Sequence, residues 1–107
     1  MQNRFNKKIS TFKLEEVIYG FYYCSDKLVK YSKHGDKYLD VLLTDDDLSI
    51  YGKVWSNVNY FDKKFSVENF VAVKGKVVKY RDRLELNILN INNADSQLYS
   101  RYGFKSL

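Results

Sequence analysis

Residues 70–91 read Phe70-Val71-Ala72-Val73-Lys74-Gly75-Lys76-Val77-Val78-Lys79-Tyr80-Arg81-Asp82-Arg83-Leu84-Glu85-Leu86-Asn87-Ile88-Leu89-Asn90-Ile91. Val71, Val73, Gly75 and Val77 alternate with Ala72, Lys74, Lys76 and Val78, the pattern of a strand with one buried face. Beyond the polar turn Tyr80-Arg81-Asp82-Arg83 the alternation resumes. Leu84, Leu86 and Ile88 take inner positions, and Glu85 and Asn87 outer ones. The stretch therefore predicts a long hairpin. Ile91 regains the inner face only after Leu89-Asn90, which predicts a bulge there.

The same period recurs upstream. In Tyr38–Thr44, Leu39, Val41 and Leu43 share one face and Tyr38, Asp40 and Leu42 the other. Asp40 identifies the outer face, because an unpaired buried carboxylate is costly. Asp45-Asp46-Asp47 makes a turn. Ile50, Gly52 and Val54 then point inward, with Tyr51, Lys53 and Trp55 outward. Small residues at Gly52 and Gly75 predict strands that bend tightly around a narrow core. Ser56–Asn69 has no clean period. Ser56 is a candidate cap for a short helix carrying Val58, Phe61 and Phe65, placed to plug an open end of the sheet.

Val17–Cys24 is rich in β-formers, and Gly20 within it predicts a bulge or bend. Leu28–Tyr31 continues this strand after a break at Ser25-Asp26-Lys27. His34-Gly35-Asp36 is a hairpin connection in which Gly35 is free to take a positive φ. Ile9, Phe12 and Leu14 form an apolar turn that closes one end of the core. The division is then 1–16 arm and closing turn, 17–92 barrel domain, and 93–107 tail. Within the tail, residues 97–104 make either a short terminal helix or part of a linker.

Five short or medium strands with inward glycines favour an all-β fold, a small closed five-stranded barrel with a short helix between strands 3 and 4. A six-stranded SH3-like barrel and an open α+β sheet are the alternatives. The five-stranded oligonucleotide-binding barrel, the OB-fold, has this order of elements.

Particular residues carry a resemblance. Gly35-Asp36-Lys37-Tyr38-Leu39-Asp40-Val41-Leu42-Leu43-Thr44-Asp45 resembles a run in nucleic-acid-binding OB domains, where Gly, an aromatic and Leu precede alternating apolar residues ending at Asp. Ile50–Trp55 resembles the strand that follows, and Phe70–Val77 and Tyr80–Ile88 the final pair. Across roughly residues 17–91 the chain is most similar to the N-terminal OB domain of bacterial HD-domain 3′–5′ exoribonucleases. More loosely it resembles anticodon-binding and polymerase-type OB domains. Where those relatives usually carry a glycine after the acidic turn, this chain has Leu48. The resemblance implies polynucleotide binding. It does not bring hydrolase activity, because the HD domain is not within these 107 residues.

Composition agrees with an anionic partner. The 107 residues carry a net charge of +5 and 17% aromatic residues, with tyrosine foremost. Positive charge favours polyanions, and tyrosine suits half-exposed contact surfaces. The single cysteine, Cys24, excludes an internal disulfide framework and fits a reducing, cytoplasmic compartment. Met1–Lys8 lacks the apolar core of a signal peptide, and no apolar run is long enough to span a membrane. A membrane partner is not expected.

No catalytic constellation emerges. His34, the only histidine, falls in a hairpin turn without an orienting partner. Cys24 lacks companion zinc ligands, and the three aspartates read as a solvated turn, not a cation loop. There is no phosphate-binding glycine loop, so no cofactor is expected. What remains is a binding surface for single-stranded RNA or DNA, which needs rings to stack on bases and cations to meet phosphates. Tyr38, Tyr51 and Trp55 are the candidate rings. Lys53, Lys74, Lys76, Arg81 and Arg83 are the candidate cations, with Lys27, Lys30 and Lys33 as a further basic cluster. The expected setting is a non-catalytic module of a larger nuclease or replication or repair protein. A protein-interaction barrel is the alternative. It gains if the basic and aromatic residues fall on different sides.

Overall fold

The structure, a computed structural model, describes residues 7–94. The elements are β1 (Val17–Tyr31), β2 (Lys37–Thr44), β3 (Ser49–Val54), α1 (Val58–Asp62), β4 (Phe70–Tyr80) and β5 (Arg83–Asn93). The strands close into a barrel in the order β1-β2-β3-β5-β4. All neighbours are antiparallel except β3 and β5, which meet in parallel at Gly52↔Leu86 and Lys53↔Asn87. This is the predicted five-stranded barrel with its helix between strands 3 and 4. No helix among the described residues is long and apolar enough to cross a membrane. The expected terminal helix at 97–104 lies outside the described residues.

The alternating positions fill the interior. Leu39, Val41, Leu43, Ile50, Val54, Val71, Val73, Val77, Leu86 and Ile88 are buried as predicted, joined by Ile18, Tyr22, Cys24, Phe65 and Ile91. Gly52 and Gly75 face this core. Leu84 departs from the prediction and is a third exposed. It keeps the inner parity, but β3 pairs with β5 only at Gly52 and Lys53, so the β4–β5 hairpin overhangs the closed barrel at Leu84.

β1 runs unbroken for 15 residues and changes partner part-way. Val17–Tyr23 pair with β4, and Tyr23–Tyr31 with β2. The irregularity is not at Gly20, which stays in register with Val73. It falls between Cys24 and Asp26, so Ser25 is the bulged residue. Its hydroxyl is 2.6 Å from that of Thr44, which holds the bulge to the neighbouring strand. Gly20 serves packing instead: a Cβ there would lie 2.5 Å from the Tyr22 ring carbon Cζ. The Tyr22 hydroxyl donates to the Lys7 carbonyl, so the phenol is buried with its polar tip satisfied. Burial, aided by the Asp45 and Glu16 charges, pushes its pKa above the ordinary tyrosine value.

The ends are closed as predicted, with changed details. Ile9 and Phe12 are buried around a 3-10 turn, whereas Leu14 is half exposed. At the other end Val58 and Phe61 of α1 pack on the core with buried Phe65. The helix is entered through Asn57 in the left-handed region at φ 54, with no side-chain cap from Ser56. Asn is among the few residues that tolerate that conformation. Lys27 ties this end down. Its ammonium donates to the carbonyls of Asp62 and Phe65 and pairs with the Asp62 carboxylate at 2.8 Å.

Candidate nucleic-acid interface

β2 and β3 lie side by side with Leu39↔Val54 and Val41↔Gly52 in register, so their outward residues form one face. Tyr38 from the start of β2 and Trp55 just past the end of β3 meet there. Their rings stack with centroids 4.4 Å apart and planes 28° from parallel. Trp55 remains 45% exposed, so it belongs to the surface. Beside it, Trp55, Asn57, Phe61, Asn87 and Leu89 line a cleft of about 260 Å³. Tyr51 stands further along β3, and the Arg83 guanidinium sits 4.7 Å from its ring centre.

The overhanging β4–β5 hairpin supplies the rest. Tyr80 is a little under half exposed, with the Lys53 ammonium 4.1 Å and the Arg81 guanidinium 5.3 Å from its ring centre. Beneath these groups lies Glu85. Its outer parity was predicted, but it is only 2% exposed. Lys53 Nζ reaches its carboxylate at 2.9 Å and Arg83 at 3.0 Å. A buried carboxylate is tolerable when ion-paired and hydrogen-bonded in this way. The one Glu85 carboxylate thus offsets one of the two charges of Lys53 and Arg83. Arg83, more than half exposed, still presents its outer guanidinium edge to solvent, and Arg81 adds a further positive charge. Arg81 holds the hairpin turn in the left-handed region, at φ 57.

Tyr38, Tyr51, Lys53, Trp55, Arg81 and Arg83 are thus brought together. Lys74 and Lys76 are not. They lie on β4, which is separated from β3 by β5. Lys74 is 5.6 Å from the centre of the Tyr19 ring, and Lys76 pairs with Glu15 at 3.4 Å. The cluster of Lys27, Lys30 and Lys33 also divides. Lys27 is structural, and Lys30 binds Asp40 Oδ2 at 2.7 Å, which holds its ammonium above the usual lysine range. Lys33 is exposed. Sequence reading missed Tyr80, Tyr19 and the tethering role of Glu85. Tyr80 was legible as the aromatic bordering the Arg81-Asp82 turn. Tyr19 was legible from its outward parity with Val17.

The other polar residues of interest are structural. The Asp45 side chain accepts from the backbone N–H groups of Ile9, Asp47 and Leu48. This organises the acidic turn, and Leu48 fits it without a positive φ. Among the described residues, no group of three or more His, Cys, Asp or Glu is placed to hold a metal ion. Cys24 is buried, and burial pushes its thiol pKa up.

Comparison with known proteins agrees with this architecture. The second OB-fold domain of replication protein A from Methanococcus maripaludis is 24% identical over 95% of this chain and 98% of that one, with a TM-score of 0.62. The mitochondrial single-stranded DNA binding protein Rim1 from S. cerevisiae is 13% identical over 76% of this chain and 96% of that one, with a TM-score of 0.63. A replication protein A heterotrimer bound to ssDNA matches at 9% identity over 91% and 72%, with a TM-score of 0.61. At these identities the likeness is one of fold. Residues 25–94 match the family of OB-fold nucleic acid binding domains of the tRNA anti-codon type. That match takes in β2 to β5 with the interface built on them, and the chain belongs to this family.

Proposed function

We propose that this domain binds single-stranded RNA or DNA on the outer face of β2 and β3 and the adjoining hairpin. The observation that carries the reading is the gathering of the stacked Tyr38 and Trp55 with Tyr51 and Tyr80 around Lys53, Arg81 and Arg83. Bases stack on the rings, which accept any base, and phosphates meet the two arginines. Lys53 is held by Glu85 and shapes the platform, while Lys74 and Lys76 extend the positive field around the barrel. The domain works as a non-catalytic module of a larger nucleic-acid protein. A nuclease of the HD-domain exoribonuclease kind fits the sequence resemblance, and a replication or repair protein fits the structural neighbours.

Fluorescence anisotropy with labelled single-stranded and duplex oligonucleotides at two salt concentrations tests this. The single strand binds more tightly, because a duplex hides the base faces. Tyr51→Ala loses about 1–3 kcal/mol of binding that persists at high salt. Arg81→Ala with Arg83→Ala lowers the salt dependence by about two counterions. Lys74→Ala with Lys76→Ala has the smaller effect. Absence of binding at high micromolar protein and low salt transfers the platform to the protein-interaction reading.

A further inference from the structure

Asp40 is the one acidic residue of β2. It stands between Tyr38 and Leu42 on the outer face, with Leu28 of β1 and Lys53 of β3 directly across from it. Its two carboxylate oxygens differ. Oδ2 accepts from Lys30 at 2.7 Å. Oδ1 is buried and has no hydrogen-bond partner among the described residues. Lys53 is the obvious cross-strand donor, but it is committed to Glu85 at 2.9 Å. A strong acceptor is thus left without a donor in the middle of the aromatic platform. Buried acceptors are rarely left so, and a ligand that brings a donor recovers the cost.

We propose that Asp40 reads the base seated beside Tyr38 and Tyr51, and that it selects guanine. The inference rests on the platform being a single-strand site, and it adds one selective position to an otherwise tolerant surface. A carboxylate only accepts hydrogen bonds. Single strands present the Watson–Crick edges of their bases for such reading. Guanine offers two adjacent donors on that edge, N1–H and the N2 amino group. Uracil and thymine offer one N–H flanked by two carbonyl oxygens, whose lone pairs confront the carboxylate. Adenine and cytosine offer one amino group beside a ring nitrogen lone pair. Guanine alone makes two charge-assisted bonds without a facing lone pair. Lys30 is a positioning residue: its bond to Oδ2 fixes the carboxylate and leaves Oδ1, with the second lone pair of Oδ2, to accept the two donors of guanine. Leu28, directly across from Asp40 on β1, is about half exposed, so its side chain can shift to admit a base edge while Lys30 keeps its hold on the carboxylate.

The test uses the unmodified chain and labelled thymidine decamers whose central base is thymine, guanine or hypoxanthine. Guanine binds about tenfold more tightly than thymine, in line with base discrimination by a bidentate contact. Hypoxanthine, which keeps N1–H but lacks the N2 amino group, falls between them. Guanine binding no tighter than thymine overturns the selectivity and leaves the platform intact. Absence of binding by all three overturns the platform and the selectivity together. In Asp40→Asn, checked by thermal melting, the guanine-to-thymine ratio falls towards one, because the amide presents a donor group to guanine's donors. An unchanged ratio in the folded variant also overturns the proposal. The decamer series decides the matter by itself if the variant does not fold.

Discussion

Glu85 sets the electrostatics of the interface from beneath. It lies between Lys53 and Arg83 at 2.9 and 3.0 Å, and both cations also lie over tyrosine rings. Glu85→Gln keeps the shape and removes the charge. Stability falls by at most the about 3–5 kcal/mol of a broken buried pair, since Arg83 is more than half exposed and can turn to water. Affinity for a single strand rises at low salt, and the salt dependence steepens by about one counterion. Urea denaturation and a salt titration of binding read the two effects, and a flatter salt dependence would contradict the arrangement. Gly52 is a residue-scale constraint of another kind. A Cβ there would stand 2.6 Å from Ile88 Cδ1 and 3.4 Å from Val41 Cγ2. Ile88 can yield a little at its flexible end, so Gly52→Ala is mild. Gly52→Val costs about 1–3 kcal/mol through overpacking, measured as a lowered urea midpoint with the slope retained.

Among the elements, the acidic turn between β2 and β3 makes the clearest pH statement. Burial acts to raise the pKa of Asp45, but backbone donation from Ile9, Leu48 and Asp47 outweighs it, so the carboxyl is held below its ordinary value. A depressed folded pKa gives stability that is complete above the unfolded value. It is lost as pH falls through the folded one. The native chain therefore destabilises on acidification below about pH 4, and Asp45→Asn flattens that part of the curve. Melting temperatures between about pH 2 and 6 show the difference, and parallel curves would exclude it. The strands themselves were legible because period-two alternation reports directly which face is buried. Leu84 and Glu85 were misjudged because alternation gives parity alone. Whether an outward position is wet depends on neighbouring strands, and here Lys53 and Arg83 come over from β3 and the hairpin tip. Gly20 was misread for a similar reason. A glycine in a strand signals that a Cβ is unwelcome, and only the fold reveals that the Tyr22 ring is what excludes it.

For the whole molecule, closure of the sheet decides which candidates became neighbours. The rings of β2 and β3 were legible as a set because those strands follow one another. The separation of Lys74 and Lys76 from them was not legible, since it depends on β5 inserting between β3 and β4. The partner change along β1 has a consequence for assembly. Its second half pairs with β2, a few residues away along the chain, whereas its first half waits for β4, with Val17 opposite Lys76. Contacts close in sequence form early, and the long β1–β4 closure carries the larger loop-entropy cost. A chain emerging from the ribosome can therefore build β1, β2 and β3 as a meander before β4 has been synthesised. Until β4 arrives, that meander exposes Ile18, Tyr22, Val41 and Leu43, which the finished barrel hides. The bulge at Ser25 thus sits where the early part of the fold meets the late part, and the interval between them is when the nascent chain is most open to aggregation.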